Sequence, residues 1–389
     1  GMMGPWRIPL DPHAQGPSAT PVPQPNAETW LDFTDLVFID PPGTGYSRVV
    51  TSDSDARRRL WSVAGDVSVL AEAIRRWIDQ NNRITSPKYV VGESYGGFRA
   101  PRLARTLASE QGVGVAGLVL LSPLLDAHQE SGIADPMAWA DLLPTEVAIA
   151  RAAKRRITRG DVADVEAYAI SDYLTDMLRG GEDHDALDRL TSRVAALTGL
   201  DPARVRHARG RLDADVFQQL VQPNRVASVY DGTVTRADPT PRELASHYPD
   251  PILAGLAAPI TGGMVAVYNE KLNWRPDAVY HLSSDAVFSA WDWGHGLSRP
   301  ESLTALQAAR SLDPHLRVLI AHGLFDLRTP YFATVRMLRL LPALDGVPPI
   351  DLKVYPGGHM FYLDDASRAA LRDDAKAMFG EPDTAGGPH

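Results

Sequence analysis

The sequence predicts an α/β protein built on a mostly parallel sheet, interrupted by a long helical insertion. Three observations lead there. Short apolar runs alternate with helical stretches over residues 36–121 and again from 316 onward, and parallel neighbours need such crossovers. That rhythm stops over residues 127–300, where Ala/Arg/Asp/Leu-rich helical stretches take over. Finally, 389 residues suffice for one large α/β domain plus an insertion. Apolar residues at 44% and charged residues at 22% fit a packed globular chain rather than a disordered one.

Taken in order, residues 1–36 are rich in Pro and Gly without a period and read as an extended entry. Leu36–Ile39 is a short apolar run stopped by Asp40-Pro41-Pro42-Gly43, which predicts a buried strand. Leu60, Val63, Val67, Leu70, Ile74 and Ile78 repeat at helical spacing within a helix predicted over 55–80. Lys88–Gly92 predicts a strand and Phe98–Ser109 a helix; Gly117–Leu121, Leu316–Ala321 and Leu352–Tyr355 predict three more strands. Inside the insertion, Pro144–Arg156 and Asp161–Arg179 read as helices, and Thr198-Gly199-Leu200-Asp201-Pro202 as a helix entry. Lys154-Arg155-Arg156 reads as a solvated face. The core is therefore expected at 1–126 and 301–380, a helical cap at 127–300, and a disordered tail at 381–389.

Charge and composition exclude several functions. Forty-eight acidic against 39 basic residues give a net charge of −9, which disfavours nucleic acid or anionic lipid as the main partner. The absence of cysteine excludes disulfides, thiolate zinc sites and a cysteine nucleophile. No apolar run is expected to reach the roughly 18–20 residues that cross a bilayer, and Gly1-Met2-Met3-Gly4-Pro5-Trp6 has neither the charged start nor the apolar centre of a signal peptide. Pro41-Pro42-Gly43-Thr44-Gly45-Tyr46-Ser47 lacks the lysine of a phosphate-binding loop, with Tyr46 in its place, and reads as a turn. No histidine–carboxylate spacing suggests a metal, so neither metal nor cofactor is expected.

The strongest chemical signal is Gly92-Glu93-Ser94-Tyr95-Gly96, a G-x-S-x-G pattern between a predicted strand and a predicted helix. In that context the sharp turn forces Ser94 into strained geometry and lifts its hydroxyl from the sheet edge, with the Tyr95 N–H facing the space in front of it. The plainer reading is a turn serine capping a helix. A serine hydroxyl attacks only with a base, normally an oriented histidine. His359, in Gly357-Gly358-His359-Met360 just past the last strand, is placed for this, although a loop histidine is ordinarily just a surface residue. Asp326 follows the Leu316–Ala321 strand and would accept the Nδ1–H of His359, unless it serves only as a helix-start acid. His322, before that turn, reads as structural. The order Ser94, Asp326, His359 is that of the α/β-hydrolases.

On these residues the chain resembles the serine carboxypeptidases of the α/β-hydrolase superfamily. Asp35–Ser47, Gly92–Gly97, Asp326 and Gly357–Met360 carry the likeness, and Asn26 and Trp30 resemble an Asn…Trp stretch that precedes the first of them. The resemblance implies an α/β-hydrolase fold and release of single residues from peptide C-termini through an acyl-enzyme. It implies Ser94, Asp326 and His359 as catalytic residues and the Tyr95 N–H in the oxyanion hole. Glu93 would hydrogen-bond the substrate's terminal carboxylate, which favours acidic pH because two carboxylates approach closely only by sharing a proton. The family's Asn-Gly-Gly-Pro-Gly segment, which supplies a second oxyanion donor worth roughly 2.7–4 kcal/mol, is absent from the sequence, as are strands ahead of Leu36. An N-terminal segment beyond residue 1 is therefore expected. A secreted or periplasmic location follows from the resemblance alone. The expected partner is a peptide or small-molecule substrate, not nucleic acid or a membrane; a homodimer, and association with a separate N-terminal segment, stay open. Ester hydrolysis or acyl transfer on the same residues, and a non-catalytic binding protein, are the alternatives. Phe288–His295, rich in aromatics, reads equally as a pocket wall or as core.

Overall fold

The computed structural model describes residues 2–127, 135–241, 249–294 and 300–380. The entry segment is mostly loop, with a two-residue pairing of β1 (Trp6–Arg7) and β2 (Gln24–Pro25). Helices α1 (Ser54–Leu60) and α2 (Val63–Gln80) replace the single helix predicted over 55–80. They break at Ser62, whose hydroxyl accepts the Gly65 N–H as an N-cap. Strand β3 (Tyr89–Glu93) leads into α3 (Tyr95–Gln111), and α3 ends on Gly112 at φ +63°, a left-handed terminus that glycine adopts without steric cost. Strand β4 (Gly117–Leu121) follows.

Between β4 and the next strand of the main sheet lie α4 (Met137–Ala152), α5 (Ala163–Ala169), α6 (Asp172–Leu178), α7 (His184–Thr198), α8 (Pro202–His207) and α9 (Ala214–Leu220). A small antiparallel pair, β5 (Arg225–Ala227) with β6 (Thr235–Ala237), is followed by α10 (Pro251–Ala266) and α11 (Asp285–Ala290). The chain closes with α12 (Leu303–Leu312), β7 (Arg317–Gly323), α13 (Tyr331–Leu340), β8 (Asp351–Tyr355) and α14 (Asp365–Gly380). The helix entry read at Thr198–Pro202 forms: Asp201 Oδ1 accepts the Ala203 and Arg204 N–H groups, and Pro202 opens α8.

Among the described residues the main sheet is parallel, in the order β3-β4-β7-β8, an arrangement consistent with an α/β-hydrolase fold. Pleat alternation gives it two buried faces. Leu118, Leu120, Val318 and Ile320 pack with Leu70, Ala71, Leu103, Leu107 and Leu306, from α2, α3 and α12. The alternate residues Val119, Leu121, Leu319 and Ala321 pack with Trp30, Phe361 and, from α14, Leu371 and Ala375. A third core joins α4–α9 to Leu324, Phe325, Leu327 and the start of α13.

Three expectations need correction. Leu36–Ile39 is not a strand: its backbone pairs with no strand, and Phe38 is 64% exposed. An apolar run becomes a strand only where a neighbour satisfies its N–H and C=O groups, and β3 is an edge of the described sheet. The helix predicted from Pro144 begins at Met137, with Pro144 inside it, and the one predicted over 161–179 breaks into α5 and α6 at Ser171. Third, α10 runs on through a π-helical turn, Val267–Lys271, and the resulting 21-residue helix holds an 18-residue stretch of mean hydropathy 1.5, a third of it buried, long and apolar enough to cross a membrane, against the expectation that no run approached that length. The tail expected at 381–389 lies outside the described residues. Lys154, Arg155 and Arg156 are exposed, as their charge requires.

Leu120 is fully buried on β4. Leu120→Ala is expected to lower the unfolding free energy by about 2–5 kcal/mol, whereas Phe38→Ser should stay within about 0.5 kcal/mol. Urea unfolding followed by circular dichroism checks both, and a comparable loss at Phe38 would show that its segment is packed after all.

Candidate active site

Sheet register brings the predicted residues to one edge. Glu93 pairs with Leu121, Leu121 with Ala321, and Gly323 with Tyr355, so the strands end nearly level at their carboxyl ends. Ser94 comes directly after β3, Asp326 three residues after β7, and His359 four residues after β8. This is the edge at which open parallel sheets hold ligands.

Ser94 has φ +56° and ψ −117°, a conformation that L-residues avoid, and its hydroxyl makes no capping bond to α3. The helix-cap reading therefore fails. The turn is held from both sides: the Ser94 N–H donates to Leu121 O at 2.9 Å, and Ser94 O accepts from the Gly97 and Leu124 N–H groups. A Cβ on Gly92 would lie 2.1 Å from Gly96 O, so only glycine permits this close return of the chain. The Tyr95 N–H, at the first helical position, has no acceptor within α3. The Tyr95 ring packs edge-on against Trp291 at 5.0 Å and Trp293 at 5.6 Å, and its hydroxyl lies 3.4 Å from Asp66. Those two tryptophans thus pack on the elbow helix, while Phe288 of the same stretch is 83% exposed and His295 lies outside the described residues.

Asp326 and His359 meet directly. Asp326 Oδ2 is 2.8 Å from His359 Nδ1, with the carboxylate fully buried and the imidazole 3% exposed. Asp326 Oδ1 accepts the Arg328 and Thr329 N–H groups, so this carboxylate closes its own turn as well as pairing with the histidine. Thr329 Oγ1 sits 2.7 Å from Asp326 Oδ2 and 3.0 Å from Ser122 O. Ser122 Oγ donates to His359 O, and the His359 N–H donates to Tyr230 O. Burial opposes the imidazolium, but the charge and hydrogen bond of Asp326, aided by Glu93, outweigh it and hold the His359 pKa above its ordinary value. His322, also fully buried, is the contrast. Burial pushes it down to about 4, its Nε2 pairs with Thr334 Oγ1 at 2.9 Å, and it stays neutral. No hydrogen bond joins Ser94 to His359 among the described residues; without a bound reactant such contacts are often long.

Glu93 lies beside this pair. Desolvation of its carboxyl raises its pKa against the lowering pull of His359 and of the Tyr362 hydroxyl, which lies 2.9 Å from Oε2. Asn26 is buried in the entry loop, where its Nδ2 donates to Met2 O and Gly4 O. Thr329, Ser122, Tyr230 and Tyr362 escaped the sequence reading because none belongs to a motif. Only the position of Ser122 and Thr329 beside strand-end turns hinted at them. Among the described residues, no group of three His, Asp or Glu side chains is placed to hold a metal.

Comparison with known proteins bears on the first of these segments. Residues 3–160 match the family model described as serine carboxypeptidase. Two curated relatives, the retinoid-inducible serine carboxypeptidases of Rattus norvegicus and Mus musculus, are each 39% identical over 93 residues, covering 23% of this chain and 20% of theirs. The match thus spans about a fifth of the length of these relatives. A solved structure, VinJ, aligns over 83% of this chain and 74% of its own at 13% identity with a TM-score of 0.28, too low to bear on the fold.

Asp326→Asn should return the His359 pKa toward the ordinary value of about 6.5, as read by NMR titration of its ring protons. Because folding raises this pKa, the resulting stabilisation is present below the ordinary value and fades as pH climbs through the raised one. The melting-temperature gap between the parent protein and Asp326→Asn should therefore narrow toward alkaline pH. A His359 titration unchanged by the substitution would contradict the pairing.

Proposed function

We propose that this protein is a serine-type carboxypeptidase. Ser94 Oγ attacks the carbonyl of the last peptide bond, and His359 Nε2 takes the hydroxyl proton. The tetrahedral oxyanion faces the Tyr95 N–H, with α3 behind it. His359 then returns the proton to the leaving amine, the C–N bond breaks, and the C-terminal amino acid departs from a Ser94 acyl-enzyme. Water repeats the sequence and frees the shortened peptide. Asp326 fixes the tautomer that presents Nε2 and stabilises the imidazolium. Glu93 contributes a proton shared with the terminal carboxylate, so a free C-terminus is preferred over a blocked one.

What supports this reading most directly is the buried Asp326–His359 bond, carried on the same sheet edge as the strained turn at Ser94. The family match over residues 3–160 takes in Glu93, Ser94 and Tyr95 and supports the choice of chemistry. The helices between β4 and β7 would set side-chain preference. A secreted or periplasmic setting belongs to the same reading.

A fluorophosphonate should label Ser94 and fail on Ser94→Ala, read by peptide mass spectrometry; a parent protein that takes no label would favour a binding role. A blocked dipeptide should be cleaved well ahead of its C-terminal amide, and equal rates would point to a general esterase or acyltransferase. Glu93→Gln should change the pH profile. Glutamine has no proton to lose, so kcat/KM for the free-acid peptide should stop falling as pH rises through the Glu93 pKa.

A further inference from the structure

We propose that Tyr362 is a positioning residue for Glu93, turning one edge of its carboxyl toward the free carboxylate of a bound peptide. This rests on the reading of Glu93 given above. Tyr362 lies in the short 3-10 turn Phe361–Leu363, three residues after His359. Its hydroxyl is 2.9 Å from Oε2 and 3.1 Å from Oε1 of Glu93, so one phenol spans both oxygens. A phenol has one proton to give. When it donates to one Glu93 oxygen, the acid proton is left on the other, aimed away from the ring and available to a second carboxylate. Without the phenol, that proton has no preferred side.

The turn that carries Tyr362 is itself fixed. The Leu363 and Asp364 N–H groups donate to Met360 O and Phe361 O. Tyr362 O accepts from Arg368 Nη1, and Arg368, 5% exposed, is also held by Glu28 and Asp365. One loop thus presents both the base and the group that aligns the carboxylate-binding acid. Three ionisable groups face Glu93: His359 and Tyr362 from this loop, and Asp326 from the loop after β7. Tyr362 favours the ionised carboxylate, so losing its hydroxyl should let Glu93 keep its proton to higher pH.

The test uses the full chain and compares kcat/KM for a blocked dipeptide with that for its C-terminal amide. Tyr362→Phe should lower the acid-to-amide ratio by about tenfold, the worth of one hydrogen bond to a charged group, with most of the loss in KM. The alkaline limb for the acid substrate should move up. Replacing Tyr362 with 3-fluorotyrosine, a stronger donor of nearly equal size, should move the same limb down, which also provides a variant that folds if phenylalanine is not tolerated. Equal losses on both substrates, or a limb unmoved by either replacement, would overturn the assignment. Glu93→Gln separates the two claims. If it moves ratio and limb while the Tyr362 replacements move neither, the role of Tyr362 alone fails. If Glu93→Gln also moves neither, the reading of Glu93 fails with it.

Discussion

The 2.8 Å contact between Asp326 Oδ2 and His359 Nδ1 is the interaction on which the rest of this molecule depends. Burying a carboxylate costs several kcal/mol unless its lone pairs are met. Asp326 meets that cost with two backbone N–H groups, the Thr329 hydroxyl and the imidazole. The loops that supply these donors are locked to their neighbours in turn. The Leu327 N–H donates to Val229 O and the Gly232 N–H to Phe325 O, so the chain between β5 and β6 is laced to the acid loop. The same stretch accepts the His359 N–H at Tyr230. The long segment between β4 and β7 therefore holds Asp326 and His359 in place.

That segment is anchored by charge as well as by apolar contact. Arg336 of α13 makes paired bonds to buried Asp141 of α4, and the Tyr331 hydroxyl donates to Glu166 of α5, which Arg159 also pairs. Each carboxylate is buried with a bidentate guanidinium partner, the geometry in which such pairs are strongest. Because α13 (Tyr331–Leu340) begins five residues after Asp326, these bonds also tie down the chain that leaves the Asp326 loop. Glu146 is different: fully enclosed, with Oε1 unpartnered, its pKa is driven far upward by burial and then by Asp213.

The sequence discloses the sheet and the positions of Ser94, Asp326 and His359 at its edge because each is tied to a local rule. Gly117–Leu121 is recovered to the residue, since a strand buried on both faces reads as an uninterrupted apolar run. Ser94 is legible because glycines crowd one turn between a strand and a helix. Leu36–Ile39 misled because composition reports apolar character and not the presence of a partner strand. Pro251–Lys271 misled in the other direction: glycines, threonine and proline interrupt its apolar residues, yet no charge appears before Glu270. Ser122 and Tyr362 act through contacts 237 and 269 residues apart, and no spacing rule reaches that far.

Where the acid loop and the histidine loop touch, they touch through bare backbone. A methyl group on Gly323 would sit 1.8 Å from Gly358 O, and one on Gly358 would sit 2.1 Å from Tyr230 O. Gly323, Gly358 and the Tyr230 carbonyl meet there main chain to main chain, so the separation of the Asp326 and His359 loops is set by the thickness of peptide planes. Such a spacer cannot be tuned in small steps. A side chain at either glycine would therefore part the two loops outright rather than adjust their separation by degrees.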